Sequence, residues 1–229
     1  MTQRLPLVAA QPGIWMAEKL SDLPSAWSVA HYVELTGELD AVLLAKAVTA
    51  GMRQADTLQM RFTEENGEVW QWIDPGHTFG EPTITDLRDQ TDPHQAALDI
   101  MQADLRQNLR ADSGKPLAFH QLMRIDDTRW YWYQRYHHLL VDGFSFPAIT
   151  RQIVAIYRAW RSGAPTPDSP FTPFTPFAMW LKNICAIARA KPGSVTALSG
   201  RNSAANYRRQ RQFLPRRCRG VRRTRRLFA

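Results

Sequence analysis

Residues 136–145 read Tyr-His-His-Leu-Leu-Val-Asp-Gly-Phe-Ser. Two adjacent histidines precede three apolar residues and an Asp-Gly turn. Upstream, residues 129–136 (RWYWYQRY) are aromatic and strand-like. Downstream, Ser145 is placed to cap a helix that runs to about Ser162 and ends at Gly163. The stretch therefore joins a strand to a helix, which points to a mixed α/β domain with the histidines at a strand end.

The rest of the body agrees with that reading. Residues 9–20 (AAQPGIWMAEKL) suit a first helix, with Ala10, Ile14 and Ala17 on one side. Residues 27–36 alternate Trp27, Val29, His31, Val33, Leu35, which is strand period. Asp40 is placed to cap a helix through Gln54. Residues 57–62 and 67–73 flank an Glu-Asn-Gly turn and read as a hairpin. Asp92-Pro93 opens a helix to about Arg110, with proline at the first helical position. Residues 116–125 alternate Leu117, Phe119, Gln121, Met123, Ile125, and Asp-Asp-Thr then turns the chain into the aromatic strand. Residues 164–177 form a Pro-rich extended connector. No repeat at a fixed period is visible.

The chain has 229 residues, 44% hydrophobic and 22% charged, with 8 Trp, 6 Tyr and 10 Phe. These values suit a globular protein with a sizeable core. No apolar run approaches the length of a membrane span, and the six-residue apolar stretch near the start is too short for a signal peptide. A cytoplasmic location is expected. The net charge of +8 would suggest an acidic partner, but its distribution argues otherwise. Residues 178–229 hold 14 Lys and Arg and no Asp or Glu, so residues 1–177 carry a net −6. The body is acidic and the tail basic. Both cysteines, Cys185 and Cys218, lie in the tail, and a body without cysteine suits a reducing compartment.

An arbitrary His-His pair is more often structural than catalytic. Two features favour chemistry here. Loops at strand ends are where sites sit, and the Asp-Gly turn brings an acidic group and a backbone N–H close to an imidazole able to take a proton near neutral pH. Neighbouring strand residues face opposite sides, so only one histidine points into any given cavity.

The motif His-His-x-x-x-Asp-Gly resembles that of the condensation domains of nonribosomal peptide synthetases and their chloramphenicol-acetyltransferase-like relatives. Two further segments agree. Residues 9–16 resemble the first motif of that family, with Ile14-Trp15 as its apolar-Trp pair. Residues 56–62 resemble the second, with Gln59 in place of its usual first Arg while Arg61 and Phe62 are kept. The resemblance implies an α/β sandwich of which residues 1–163 are the first of two lobes. It implies an acyltransferase that joins a carrier-bound acyl thioester to a carrier-bound amine. The most similar members place 2,3-dihydroxybenzoyl and seryl groups in these roles, in siderophore biosynthesis. The implied partners are an aryl or acyl carrier protein as donor and a peptidyl carrier protein as acceptor. Substrates ride on the carriers' phosphopantetheine; no cofactor or metal of the domain's own is implied. Carried over, His138 is the catalytic histidine, as base or as orienter of the amine. His137 supports it, Asp142 is structural and pairs with an arginine for which Arg61 is the candidate, and Gly143 offers an N–H to the oxyanion and room for the pantetheine arm.

The resemblance weakens after residue 177, where the family continues into an acidic helix. Met179-Trp180 must be encoded ATG TGG. Read one base earlier, allowed codons give Asp-Val-Val-Glu-Glu-Tyr. The expectation is a single-base frameshift near Ala178 and a disordered, out-of-frame tail over residues 178–229, leaving an inactive or impaired fragment. A basic tail also has the charge for phosphate contacts, but such runs are usually solvated segments, and no specific nucleic-acid role or membrane association is expected. Two other readings remain open: a free-standing CoA-dependent acyltransferase of the chloramphenicol acetyltransferase type, and a non-catalytic carrier-docking fragment.

Overall fold

The computed structural model describes residues 4–7, 10–23, 25–74, 76–166 and 225–227. They form eight strands and four α-helices: β1 (Leu5–Pro6), α1 (Gln11–Leu20), β2 (Ser28–Thr36), α2 (Ala41–Gln54), β3 (Met60–Glu65), β4 (Glu68–Ile73), β5 (Thr83–Asp86), α3 (Pro93–Leu105), β6 (Ala118–Arg124), β7 (Arg129–His137), α4 (Ser145–Arg161) and β8 (Arg225–Leu227). A small sheet has the order β1-β4-β3; a larger one runs β5-β6-β7-β2-β8. The mixed α/β class expected from the sequence is the one observed.

Local chemistry sets most boundaries. The Asp40 carboxylate accepts the Leu43 N–H at 2.9 Å and starts α2. Asp92 accepts the Gln95 N–H at 3.0 Å ahead of Pro93 and starts α3. Asn66 (φ 55°) and Gly67 (φ 78°) both take the left-handed conformation between β3 and β4, the turn that matches the twist of a tight hairpin. Gly163 (φ 72°) follows the end of α4.

Three expectations are corrected. Residues 56–59 form a 3-10 turn, and the hairpin strand begins only at Met60. Helix α3 stops at Leu105 instead of about Arg110, because the chain turns to bury Leu109 while the Arg110 guanidinium donates to the Ser21 carbonyl. Strand β5, parallel to β6, was not anticipated: Thr-Ile-Thr-Asp is short, with three of its four residues exposed, and shows no alternation with a core. Of the tail expected to be disordered, Arg225–Leu227 pair antiparallel with β2; the rest of it, the proposed frameshift point and residues 167–177 of the connector lie outside the described residues.

Strand β7 lies inside the large sheet between β6 and β2 and is buried along nearly its whole length. Its two faces serve different helices. Tyr131 and Tyr133 pack with Ala30, Tyr32 and Met123 against Ala97, Met101 and Leu105 of α3. On that same face the Arg135 guanidinium donates to Asp104 of α3 at 2.7 Å, and the Tyr133 hydroxyl donates to the same carboxylate at 2.8 Å. On the other face Gln134 accepts the Thr150 hydroxyl of α4 at 3.0 Å, and the Tyr136 ring meets Phe146 edge-on. Helices α2 and α4 pack so closely that a Cβ on Gly51 would lie 2.5 Å from Ile153 Cγ1.

Candidate active site

The alternation along β7 continues to its end. His137 falls on the face of Arg135 and is 1% exposed. His138 follows just past the strand end and is half-buried. Backbone bonds hold both: the His137 N–H donates to the Leu117 carbonyl and the His138 N–H to the Trp27 carbonyl, each at 2.8 Å. The chain then turns, with the Leu140 N–H donating to the His137 carbonyl at 2.9 Å. Leu139, Leu140 and Val141 are buried and anchor the turn.

The two rings have opposite hydrogen-bonding patterns. His138 Nδ1 donates to the Val141 carbonyl at 3.3 Å. A carbonyl only accepts, so the proton sits on Nδ1 and the basic lone pair on Nε2. The Trp27 ring stands edge-on to the imidazole, centroids 6.4 Å apart. His137 Nδ1 instead accepts the Leu139 N–H at 3.1 Å, and its Nε2–H donates to Glu18 Oε2 at 2.5 Å. His137 is tied on both nitrogens inside the protein, while His138 is tied on one.

Asp142 is not paired with Arg61. Its Oδ1 accepts the N–H groups of Phe144 (3.0 Å) and Ser145 (2.8 Å) and the Ser145 hydroxyl (2.6 Å), and its own N–H donates to Ser145 Oγ at 2.8 Å. The carboxylate closes the start of α4. Partial burial pushes its pKa up, but the bonds from Ser145 and Phe144 outweigh burial and hold the carboxyl below its ordinary range. Being exposed, it needs no cation to remain charged. Arg61 lies in the β3–β4 hairpin, where its Nε is 3.8 Å from Asp74 and its guanidinium donates to His77 Nδ1. Burial, then the Arg61 charge, lower the pKa of His77. The expected ion pair fails because each partner has nearer company along its own chain segment.

Gly143 is exposed; a Cβ there would meet nothing within 4 Å. Phe144 beside it is 80% exposed. Among the described residues no group of three His, Cys, Asp or Glu side chains is arranged to hold a metal, and no helix is long and apolar enough to cross a membrane.

Sequence reasoning missed Glu18 and Gln11. Glu18 is 4% exposed and accepts the Ala111 N–H on Oε1 at 3.0 Å, beside its bond to His137. Gln11 donates its amide to the Leu139 carbonyl at 3.0 Å. The available signal was position: Glu18 stands three residues after Trp15, on the same buried face of α1.

The sequence model of the Condensation domain family matches residues 1–191. The chain belongs to the condensation domain family. It is 74% identical over 169 residues to enterobactin synthase component F of Escherichia coli K12, an alignment covering 74% of this chain and 13% of that protein. It is 35% identical over 167 residues to the vanchrobactin synthetase VabF of Vibrio anguillarum, covering 71% of this chain and 6% of that one. Among solved structures, the starter condensation domain of the rhizomide synthetase RzmA superposes with a TM-score of 0.73 at 27% identity, over 82% of this chain and 45% of that chain. This condensation-domain chain therefore spans less than half of the solved domain and a small part of the synthetases.

Proposed function

We propose that the chain takes part in amide-bond formation between a carrier-bound acyl thioester and a carrier-bound amine. The observation that carries this reading is the His138 imidazole, with its proton committed to the Val141 carbonyl and its Nε2 lone pair left basic at a strand end. In aminolysis the amine nitrogen bonds to the thioester carbonyl carbon, the carbon–sulfur bond breaks, and the departing pantetheine sulfur takes up a proton. His138 Nε2 receives or orients the amine proton in that step. The carbonyl oxygen gains charge on the way, and the exposed N–H of Gly143 is the donor we assign to it. His137 and Asp142 support these groups from the strand end and the helix start; Arg61 serves the hairpin.

The 74% identity to enterobactin synthase component F supports 2,3-dihydroxybenzoyl as acyl group, serine as amine, and aryl and peptidyl carrier proteins as partners. An RzmA starter-domain variant was solved in complex with C8-CoA and Leu-SNAC, at 28% identity and a TM-score of 0.72, which fits an acyl thioester meeting an aminoacyl thioester. The test is direct. The chain is mixed with a dihydroxybenzoyl-loaded aryl carrier and a seryl-loaded peptidyl carrier, and the acceptor is weighed by mass spectrometry. Because the chain holds one lobe, acylated seryl carrier is expected only at an impaired rate. Its absence with this pair, beside product with another acyl group, would reassign the donor.

We read residues 1–163 as the first lobe, residues 164–177 as a connector, and the acid-free run after Ala178 as out-of-frame sequence. The abrupt loss of Asp and Glu and the recoverable second frame support this. Sequencing the gene tests it: without a continuing acidic frame one base away, the reading fails.

A further inference from the structure

We infer that Glu18 is a positioning residue for His138, acting through His137 and the backbone of residues 139–141. The inference rests on the assignment of His138 as the reacting imidazole. The connection is continuous. Glu18 Oε2 accepts His137 Nε2–H at 2.5 Å, and His137 Nδ1 accepts the Leu139 N–H at 3.1 Å. Two residues on, the Val141 carbonyl accepts His138 Nδ1–H. Gln11, two helical turns before Glu18 on the same helix, holds the Leu139 carbonyl at 3.0 Å. Helix α1 thus holds the Leu139 C=O directly through Gln11 and its N–H indirectly through Glu18 and His137, and that turn carries the carbonyl that sets the His138 tautomer.

The chemistry requires a carboxylate. Both partners of Glu18 are donors, the Ala111 N–H on Oε1 and the His137 ring N–H on Oε2. A glutamine of the same shape has one acceptor and one donor end. It satisfies Ala111 or His137, never both. If His137 changed tautomer to accept from that glutamine, its Nδ1–H would face the Leu139 N–H and the turn would lose its anchor. Within so buried a pair either outcome leaves an unpaired polar group.

The experiment follows the histidine rings of the full chain by 15N long-range correlation NMR, beside amide formation with the loaded carriers. In the unmodified chain His137 is expected as the Nε2–H tautomer and His138 as the Nδ1–H tautomer. In Glu18→Gln the His138 Nδ1–H population is expected to fall, with kcat down on the order of tenfold, as for outer-shell partners of ligating histidines, and the KM for both carriers held. His137→Gln keeps a donor for Glu18 at the place of Nε2 but loses the acceptor for the Leu139 N–H, so it is expected to move the His138 signals the same way, with little further change in the double variant. If Glu18→Gln does not fold, His137→Gln alone decides. Unmoved His138 ring signals, with only a lower Tm, would overturn the inference. The functional assignment fails separately, if His138→Ala leaves amide formation unchanged.

Discussion

His138 and His137 are neighbours in sequence and opposites in bonding: one gives its Nδ1 proton to the Val141 carbonyl, the other takes the Leu139 amide proton on the same ring atom. A tautomer fixed by a backbone acceptor leaves the remote nitrogen as the base.

Replacing His138 with alanine is therefore expected to lower amide formation by about 10²- to 10⁴-fold, the usual worth of a proton-transferring side chain. The Tm is expected to change little, since the ring is half-buried and makes a single long hydrogen bond to the chain. Turnover with loaded carriers, measured beside thermal unfolding, checks both parts; a matched fall in the two would mark the residue as structural.

Asp142 and Arg61 are expected to be energetically independent. Asp142→Ala loses the hydrogen bonds that close the turn ahead of α4 and is expected to cost on the order of 1 kcal/mol, the worth of an exposed hydrogen-bonded turn. Arg61→Ala loosens the contacts with Asp74 and His77. Denaturant unfolding of the two single variants and the double variant forms a cycle whose coupling energy should lie within about 0.5 kcal/mol of zero. A coupling of about 1–2 kcal/mol would restore the ion pair that the family resemblance implied.

Gly143→Ala separates room for substrate from room for the fold. A Cβ there meets nothing within 4 Å, and the backbone is not in the left-handed region. Stability is expected to stay within about 0.5 kcal/mol of the parent chain, as for surface changes that disturb nothing. Turnover is expected to fall, because the methyl group enters the space assigned to the pantetheine arm. Unchanged turnover would show that the arm passes elsewhere.

Stability is expected to depend on pH through a third buried histidine, His120. His120 is buried on the α4 face of the sheet, accepts the Trp132 indole N–H at 3.0 Å and donates to the Tyr136 hydroxyl at 2.7 Å. Burial, and secondarily the nearby His31, lower its pKa to about 3. It is neutral in the fold and takes a proton on unfolding below about pH 6.5. Its stabilising share is complete above that pH and is lost as the pH falls toward 3. Urea unfolding between pH 7 and pH 5 should show falling stability, and His120→Gln, which keeps an acceptor and a donor, should flatten the slope. Parallel slopes in the two proteins would remove His120 from the account.

The legible parts of this protein were those written in adjacent residues. Asp40, Asp92-Pro93 and Asn66-Gly67 act on backbone groups within a few positions, so short-range chemistry located two helix starts and a hairpin. The alternation that ends at His137 and His138 was equally local. What escaped was long-range or against pattern. Strand β5 gains its place from β6, which the short, mostly exposed Thr-Ile-Thr-Asp cannot announce. Glu18 reads as an ordinary helix carboxylate until the fold brings His137 to it across 119 positions. The Asp142–Arg61 pairing came from resemblance, and local hydrogen bonds displaced it.

Strand β7, covered on both faces and paired on both edges, has a consequence for how the site fails. Amide protons there are expected to exchange with solvent only through large-scale opening of the sheet. The histidine pair hangs from the end of that strand, so heat or denaturant has no route to it by fraying an edge. Loss of the site and loss of the fold should coincide in a single cooperative event, and substitutions far from His138 should alter its working range simply by moving that event.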